Sequence, residues 1–142
     1  MDLTRTATRQ QFALALSTWG WAGVERKVPL FTSLFGDVFL ESYDGYWWLD
    51  AVRGTLGKPW ETVEAMEADL DSARGQERFL RSRLVLDAEL HGLRPDDGQV
   101  YGFTVAPALG GPVHVDNLEL MDLTLRLHMT GQLHGRILRA QP

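Results

Sequence analysis

The 142-residue chain contains no cysteine, which excludes a disulfide framework and thiolate catalysis. Its apolar runs are all far shorter than the roughly 20 residues that span a bilayer. The first ten residues, MDLTRTATRQ, lack the apolar core of a signal peptide. These absences predict a cytoplasmic protein with no membrane segment.

Positive charge is also scarce, because 14 Lys and Arg residues face 19 Asp and Glu residues and the net charge is −5. Sequence-independent binding of nucleic acid depends on neutralising phosphates with Lys and Arg, so direct nucleic-acid binding is not expected. The acidity is regional, since residues 31–72 hold nine acids and two bases. Such a region can attract a basic protein partner, or it can be a solvated face that keeps the protein soluble.

The chain is 44% hydrophobic and 23% charged. This composition is typical of a globular protein with a substantial core. The pattern predicts a first helix over residues 4–19, which ends at Gly20. An apolar run from Val28 to Phe35 is predicted to be extended. We expect an N-terminal helical segment over residues 1–27, packed on an α+β domain formed by residues 28–142.

A β-hairpin is the clearest local prediction. Asp37–Tyr43 and Tyr46–Val52 flank Asp44-Gly45, a pair that suits a two-residue type I′ turn. A short third run, Thr55–Lys58, completes a three-stranded antiparallel meander. Alternation on the middle strand places three residues on one face: Tyr46, Trp48 and Asp50.

Two helices are predicted after the meander, over Trp60–Ser72 and Gln76–His91, with a break at Gly75 and a C-terminal cap at Gly92. The apolar side of the Trp60–Ser72 helix contains Trp60, Val63, Met66 and Leu70. An acidic stripe beside it contains Glu61, Glu64, Glu67 and Asp71.

The last third of the chain is predicted to hold a strand at Tyr101–Val105 and a closing helix from about Asp122 to Leu138. The closing segment also alternates like a strand, but its four-residue apolar repeat runs longer and contains no proline. The predicted fold class is α+β: a single domain in which an antiparallel sheet, the meander plus a later strand, packs against three to four helices.

Catalytic signatures are lacking. The four histidines do not form the i, i+4 pair of a zinc helix, the serines lack a G-x-S-x-G setting, and Gly110-Gly111 lacks the lysine of a phosphate-binding loop. We therefore predict no enzyme, no metal site and no cofactor. The alternative is a small metal-dependent hydrolase in which Asp37, Glu41 and Asp50 converge across the hairpin; of the basic residues, only Arg53 is near enough in sequence to hold a phosphate.

From about Leu34 to Leu133 the chain resembles a bacterial family first described as a domain of unknown function. That family was later named for the C-terminal domain of a type VI secretion immunity protein. The matching pieces are Gly36-Asp37-Val38-Phe39, Leu49-Asp50, Tyr101-Gly102-Phe103, Pro107-Ala108-Leu109-Gly110-Gly111, Val115-Asp116-Asn117-Leu118, Leu127-His128 and Gly131-Gln132-Leu133-His134. Members often carry a larger N-terminal region that resembles a GAD-like domain, and about 30 residues precede the match here.

The resemblance implies a non-catalytic cytosolic protein that binds and neutralises a cognate toxin, which in the named case is a DNase. An acidic surface with aromatic residues suits a basic toxin. The predicted partner-binding residues are Asp44, Tyr46, Trp48, Asp50, Glu61, Glu64, Glu67 and Asp71. A regulatory or scaffolding domain without a toxin partner would use the same surface.

Overall fold

The structure is a computed structural model that describes residues 2–141. Five strands form an antiparallel sheet in which each strand pairs with the next along the chain. They are β1 (Thr4–Arg5), β2 (Val28–Ser33), β3 (Val38–Ser42), β4 (Gly45–Asp50) and β5 (Thr55–Trp60). A separate two-stranded sheet consists of β6 (Gln99–Phe103) and β7 (Leu118–Asp122). The helices are α1 (Arg9–Leu16), α2 (Val63–Asp71), α3 (Ala73–Leu80), α4 (Ser82–Leu90) and α5 (Leu123–Ala140). The α+β prediction is confirmed.

Both faces of the large sheet are covered, which creates two cores. The α5-side core includes Phe12, Trp19, Val38, Leu40, Leu49 and Leu127. The α3-side core includes Phe39, Trp60, Met66, Phe79, Val85 and Tyr101. Neighbouring residues of β3 and β4 therefore enter opposite cores, as strand alternation requires. None of the helices within residues 2–141 is long and apolar enough to cross a membrane.

The predicted hairpin is present, but its turn is shifted by one residue. Ser42 pairs with Gly45, so the two turn residues are Tyr43 and Asp44 instead of Asp44 and Gly45. Gly45 has a φ of +146° and lies against the Trp60 carbonyl, which leaves no room for a Cβ atom. The glycine is required by its place at the start of β4 and does not form the turn.

The first helix is shorter than predicted. Thr4 and Arg5 form an edge strand that pairs with Ser33 and Thr32 of β2. The helix begins only at Arg9, where Thr8 provides a capping box with Gln11. The cap fixes the helix start at a point that the apolar pattern alone does not show.

The predicted boundaries of the middle helices also need correction. Trp60 ends β5, and α2 begins three residues later, after the cap of Thr62. The predicted helix from Gln76 to His91 is two helices, because Arg81 adopts a left-handed conformation with a φ of +50°. The predicted break at Gly75 is wrong: Gly75 lies inside α3, where it is buried against the last turn of α2. Gly92 has a φ of +77°, as expected for a C-terminal cap.

The closing segment contains both patterns that the sequence suggested. An unpredicted strand, β7, pairs with β6, and α5 follows it directly. The Asp122 side chain caps the helix by accepting a hydrogen bond from the Leu125 N–H at 2.9 Å. The predicted helix is confirmed, and the later strand belongs to its own small sheet rather than to the meander.

The loop after β6 is held by Asn117. Its Oδ1 accepts from the Val105 N–H at 3.0 Å, and its Nδ2 donates to the carbonyls of Val105 at 2.8 Å and Pro112 at 2.9 Å. Gly111 lies so close to the Val105 carbonyl that no Cβ atom fits there. The Gly110-Gly111 and Asn117 motifs therefore have a structural explanation, which is the packing of one loop.

Asn117→Ala is expected to lower the free energy of unfolding by about 1–2 kcal/mol, because it leaves buried backbone groups of the loop without partners. Chemical denaturation monitored by tryptophan fluorescence measures this change. The control is Asp116→Ala at the exposed neighbouring position, which is expected to change stability by less than about 0.5 kcal/mol. Equal effects of the two substitutions would contradict the role given to Asn117.

Candidate protein-binding surface

A group of acidic residues surrounds Tyr46 on the α3-side face of the sheet, and we call it the Tyr46 acidic patch. Its members are Glu41, Tyr46, Glu64 and Glu67. Glu41 lies opposite Tyr46 in the β3–β4 pair, and the Tyr46 hydroxyl donates to Glu41 Oε2 at 2.5 Å. This hydrogen bond raises the pKa of Tyr46, and loss of hydration and the negative charges of Glu41, Glu64 and Glu67 raise it further.

The contribution of α2 follows from its helical period. Val63, Met66 and Leu70 pack towards the α3-side core, which turns Glu64 and Glu67 outward. Glu64 also lies in the first turn, where a negative charge interacts favourably with the helix dipole. Within residues 2–141, neither glutamate makes a salt bridge. Both carboxylates are exposed, so they are available to a positively charged partner.

The other predicted surface residues lie at the two ends of this region. Asp44 accepts hydrogen bonds from the Ser42 hydroxyl and the Trp47 indole, and the first of these is the main cause that lowers its pKa. Glu61 is exposed and lies 3.5 Å from Lys58 Nζ. Asp71 is exposed on the last turn of α2, next to an apolar cavity. Asp44 and Glu61 therefore interact with neighbouring residues of the hairpin and β5, whereas the exposed Asp71 forms no salt bridge among the described residues.

Trp48, a predicted partner contact, is half-buried. Its ring packs edge-on against Phe79, with the ring centroids 4.8 Å apart. Its indole nitrogen is buried and has no hydrogen-bond partner among the described residues. Because α3 covers this part of the sheet, the Trp48 ring packs against the α3-side core, and a role for Trp48 in partner binding stays a prediction.

The prediction that Asp50 contacts a partner needs correction, because Asp50 is only 2% exposed. Its Oδ1 accepts from the Val52 N–H at 3.0 Å, the Arg53 N–H at 3.1 Å and Arg81 Nη2 at 3.2 Å. Burial raises the pKa of Asp50, and the charge of Asp37 raises it further, while Arg81 opposes both effects.

Arg81 joins two buried carboxylates that belong to different strand ends. Its Nη1 lies 2.6 Å from Asp37 Oδ2, and its Nη2 contacts Asp50. Asp37 also accepts from the Ser33 hydroxyl at 2.7 Å and from the Ala51 N–H at 2.8 Å. Burial opposes the charge of Arg81, but the two carboxylates outweigh it and raise its pKa. We call Asp37, Asp50 and Arg81 the buried ion network.

The network contradicts the grouping on which the hydrolase alternative was based. Asp37 and Asp50 are buried and accept hydrogen bonds from protein donors. Glu41 is exposed four residues further along the hairpin from Asp37, which corresponds to about 13 Å along a strand. Within residues 2–141, no group of three His, Cys, Asp or Glu residues is placed to hold a metal ion. The three acids therefore do not form a common site.

The second half of the chain matches a known protein family. Residues 61–134, more than half of the chain, match the family described as T6SS immunity protein Tdi1, C-terminal, where T6SS is the type VI secretion system. The chain belongs to this family. The resemblance stated from the sequence motifs is confirmed. The matched region contains α2 with its acidic stripe and the loop held by Asn117, whereas the β3–β4 hairpin precedes it.

A solved structure also shares the fold. The crystal structure of Atu4351 from Agrobacterium tumefaciens superposes with a TM-score of 0.56 at 19% sequence identity. The superposition covers 87% of this chain and 62% of that protein, so the chain spans less than two thirds of its length. Among curated proteins, none matches the chain.

Proposed function

We propose that the chain is a non-catalytic immunity protein that binds and neutralises a cognate toxin of a type VI secretion system. The observation that carries the proposal is membership of the immunity-protein family over residues 61–134. The exposed acidic surface also supports the proposal, because its carboxylates can bind a positively charged partner. The binding surface in this proposal is the Tyr46 acidic patch together with Asp71.

The charge of this surface favours a basic toxin, and a nuclease is the class that fits best. A nuclease must neutralise phosphates, so its cleft carries Lys and Arg residues. Exposed carboxylates at Glu41, Glu64 and Glu67 can pair with those residues in place of phosphates. A protein that neutralises a nuclease in this way acts where the chromosome is, in the cytoplasm.

The test of the proposal is co-expression with candidate toxins encoded beside this chain in its native genome. We expect one neighbouring product to kill host cells when expressed alone and to be harmless when this chain is present. The same toxin is expected to copurify with the chain as a stoichiometric complex. If no neighbouring product is toxic in the absence of the chain, or none binds it, the proposal is wrong.

The double charge reversal Glu64→Lys and Glu67→Lys is expected to slow association with that toxin on the order of tenfold at low salt, because charge steering accelerates protein association. Stopped-flow kinetics at several salt concentrations measures both the rate and its salt dependence, which is expected to weaken. The charge-matched control is Asp96→Lys and Asp97→Lys, in the exposed turn before β6. If both double variants slow association equally, only net charge matters and α2 is not part of the interface.

A further inference from the structure

A cavity of about 350 Å³ opens beside the Tyr46 acidic patch, between α2, α3 and the edge of the sheet at β1. We infer that it receives one large apolar side chain from a basic segment of the partner. The inference rests on the proposed function, because that partner is the toxin, and it specifies which feature of the toxin is recognised.

The apolar part of the cavity wall includes side chains from three elements. Met66 and Leu70 lie one helical turn apart on α2, Phe31 comes from β2, and Leu80 comes from the end of α3. Phe31 stacks on Phe39 at a centroid distance of 4.7 Å, which fixes its ring. Phe31 and Leu70 are only half-buried, so apolar surface at this position is exposed to water. Covering such surface is favourable in association.

The volume of the cavity limits what can fill it. Small-molecule sites occupy about 300–1,000 Å³, and this cavity lies at the lower end of that range. A cavity of this size also has room for an anchor side chain of the kind that dominates protein interfaces, such as an aromatic ring held in a pocket.

The rim of the cavity indicates the charge of the occupant. Glu67 and Asp71 stand at i and i+4 on the same side of α2, and both are exposed. Within residues 2–141 neither of them forms a salt bridge. A segment in which Lys or Arg flanks the anchor places its positive charges beside these two carboxylates. A second copy of this chain would bring the same acidic helix to the rim, so like-charge repulsion disfavours it.

Glu67 connects the cavity to the Tyr46 acidic patch, because it borders both. The patch and the cavity therefore form one continuous surface with an apolar centre and an acidic edge along α2. Interfaces with strong binding have this arrangement, in which an apolar anchor is surrounded by polar contacts.

The first experiment uses two short probes, acetyl-Lys-Phe-Lys-amide and acetyl-Glu-Phe-Glu-amide, titrated into the full chain with labelled methyl groups. The cationic probe is expected to shift the methyl resonances of Met66, Leu70 and Leu80, and the anionic probe to bind at least tenfold more weakly. Gln76→Trp, which fills the mouth of the cavity, is expected to abolish the shifts. The matched control, Gln10→Trp on the exposed side of α1, is expected to retain them. No shift with the cationic probe, or equal binding of both probes, overturns the inference.

The second experiment uses the toxin identified by co-expression, and it separates failure of this inference from failure of the proposed function. Gln76→Trp and Asp71→Lys, both checked for folding by circular dichroism, are each expected to weaken toxin binding at least tenfold. If the chain neutralises the toxin and neither variant weakens binding, the cavity inference fails and the immunity function stands. If the cationic probe occupies the cavity but no toxin is found, the immunity function fails while the preference of the cavity for a basic apolar segment stands.

Discussion

Arg81→Met is expected to lower the free energy of unfolding by about 3–5 kcal/mol, the cost of leaving a buried charge without its partner. The arginine contacts both Asp37 and Asp50, which are 0% and 2% exposed. Methionine retains an unbranched apolar side chain but removes the guanidinium, whose central carbon lies 5.5 Å from the centroid of the Phe35 ring. The loss therefore reports removal of the guanidinium from both carboxylates and from Phe35, and urea denaturation at pH 7 measures it.

The loss of stability in Arg81→Met is also expected to depend on pH. The folded pKa of Asp50 is already above that of an unfolded chain, so this group makes the protein less stable as the pH rises through that range. Removing Arg81 takes away the positive charge that opposes the shift, and the pKa of Asp50 rises further. The deficit of Arg81→Met is therefore expected to shrink as the pH falls and Asp50 becomes protonated.

The control for this prediction is Arg83→Met, two residues away on the exposed side of α4. It is expected to change stability by less than about 0.5 kcal/mol, because its side chain makes no salt bridge among the described residues. A deficit in Arg81→Met that is no larger than this, or that stays constant with pH, would contradict the role of the buried ion network.

Gly75→Ala is expected to destabilise the protein by about 3 kcal/mol, at the upper end of the cost of overpacking. In an ordinary helix interior the same change stabilises by about 1 kcal/mol, because alanine has the higher helix propensity. Here a Cβ atom would overlap the backbone carbonyl of Asp69, so the junction of α2 and α3 has to open. Differential scanning calorimetry, which gives both Tm and the unfolding enthalpy, measures the effect.

Gly57→Ala is the matched control, since Gly57 has open space around it and no positive φ. It is expected to have a small effect compared with Gly75→Ala. A Gly75→Ala variant that is as stable as the native protein would show that α2 and α3 do not meet as closely as described.

The parts of the fold that the sequence predicts are those with strong local signals. The four-residue apolar repeat after Asp122 identifies α5, and the residues around Asp44-Gly45 identify the hairpin. The missed parts depend on distant contacts. The two-residue strand β1 exists because it pairs with β2, and the break at Arg81 occurs where its side chain reaches Asp37. The local sequence around β1 and Arg81 does not indicate that β1 pairs with β2 or that Arg81 contacts Asp37.

The same distinction applies to the surface. The outward position of Glu64 and Glu67 follows from the period of α2, so the sequence places it correctly. Asp50 is not on the surface where the sequence places it, because alternation along a strand separates its two faces without showing that both are covered. Glu41 was overlooked as a surface contact because its link to Tyr46 depends on the strand pairing.

Hydrogen–deuterium exchange on the purified complex with the neutralised toxin locates the toxin-binding surface of the chain. We expect added protection in α2, in the β3–β4 hairpin around Tyr46 and in α3 beside the cavity. Protection confined to α1 and the outer side of α5, on the opposite face of the sheet, would contradict this expectation.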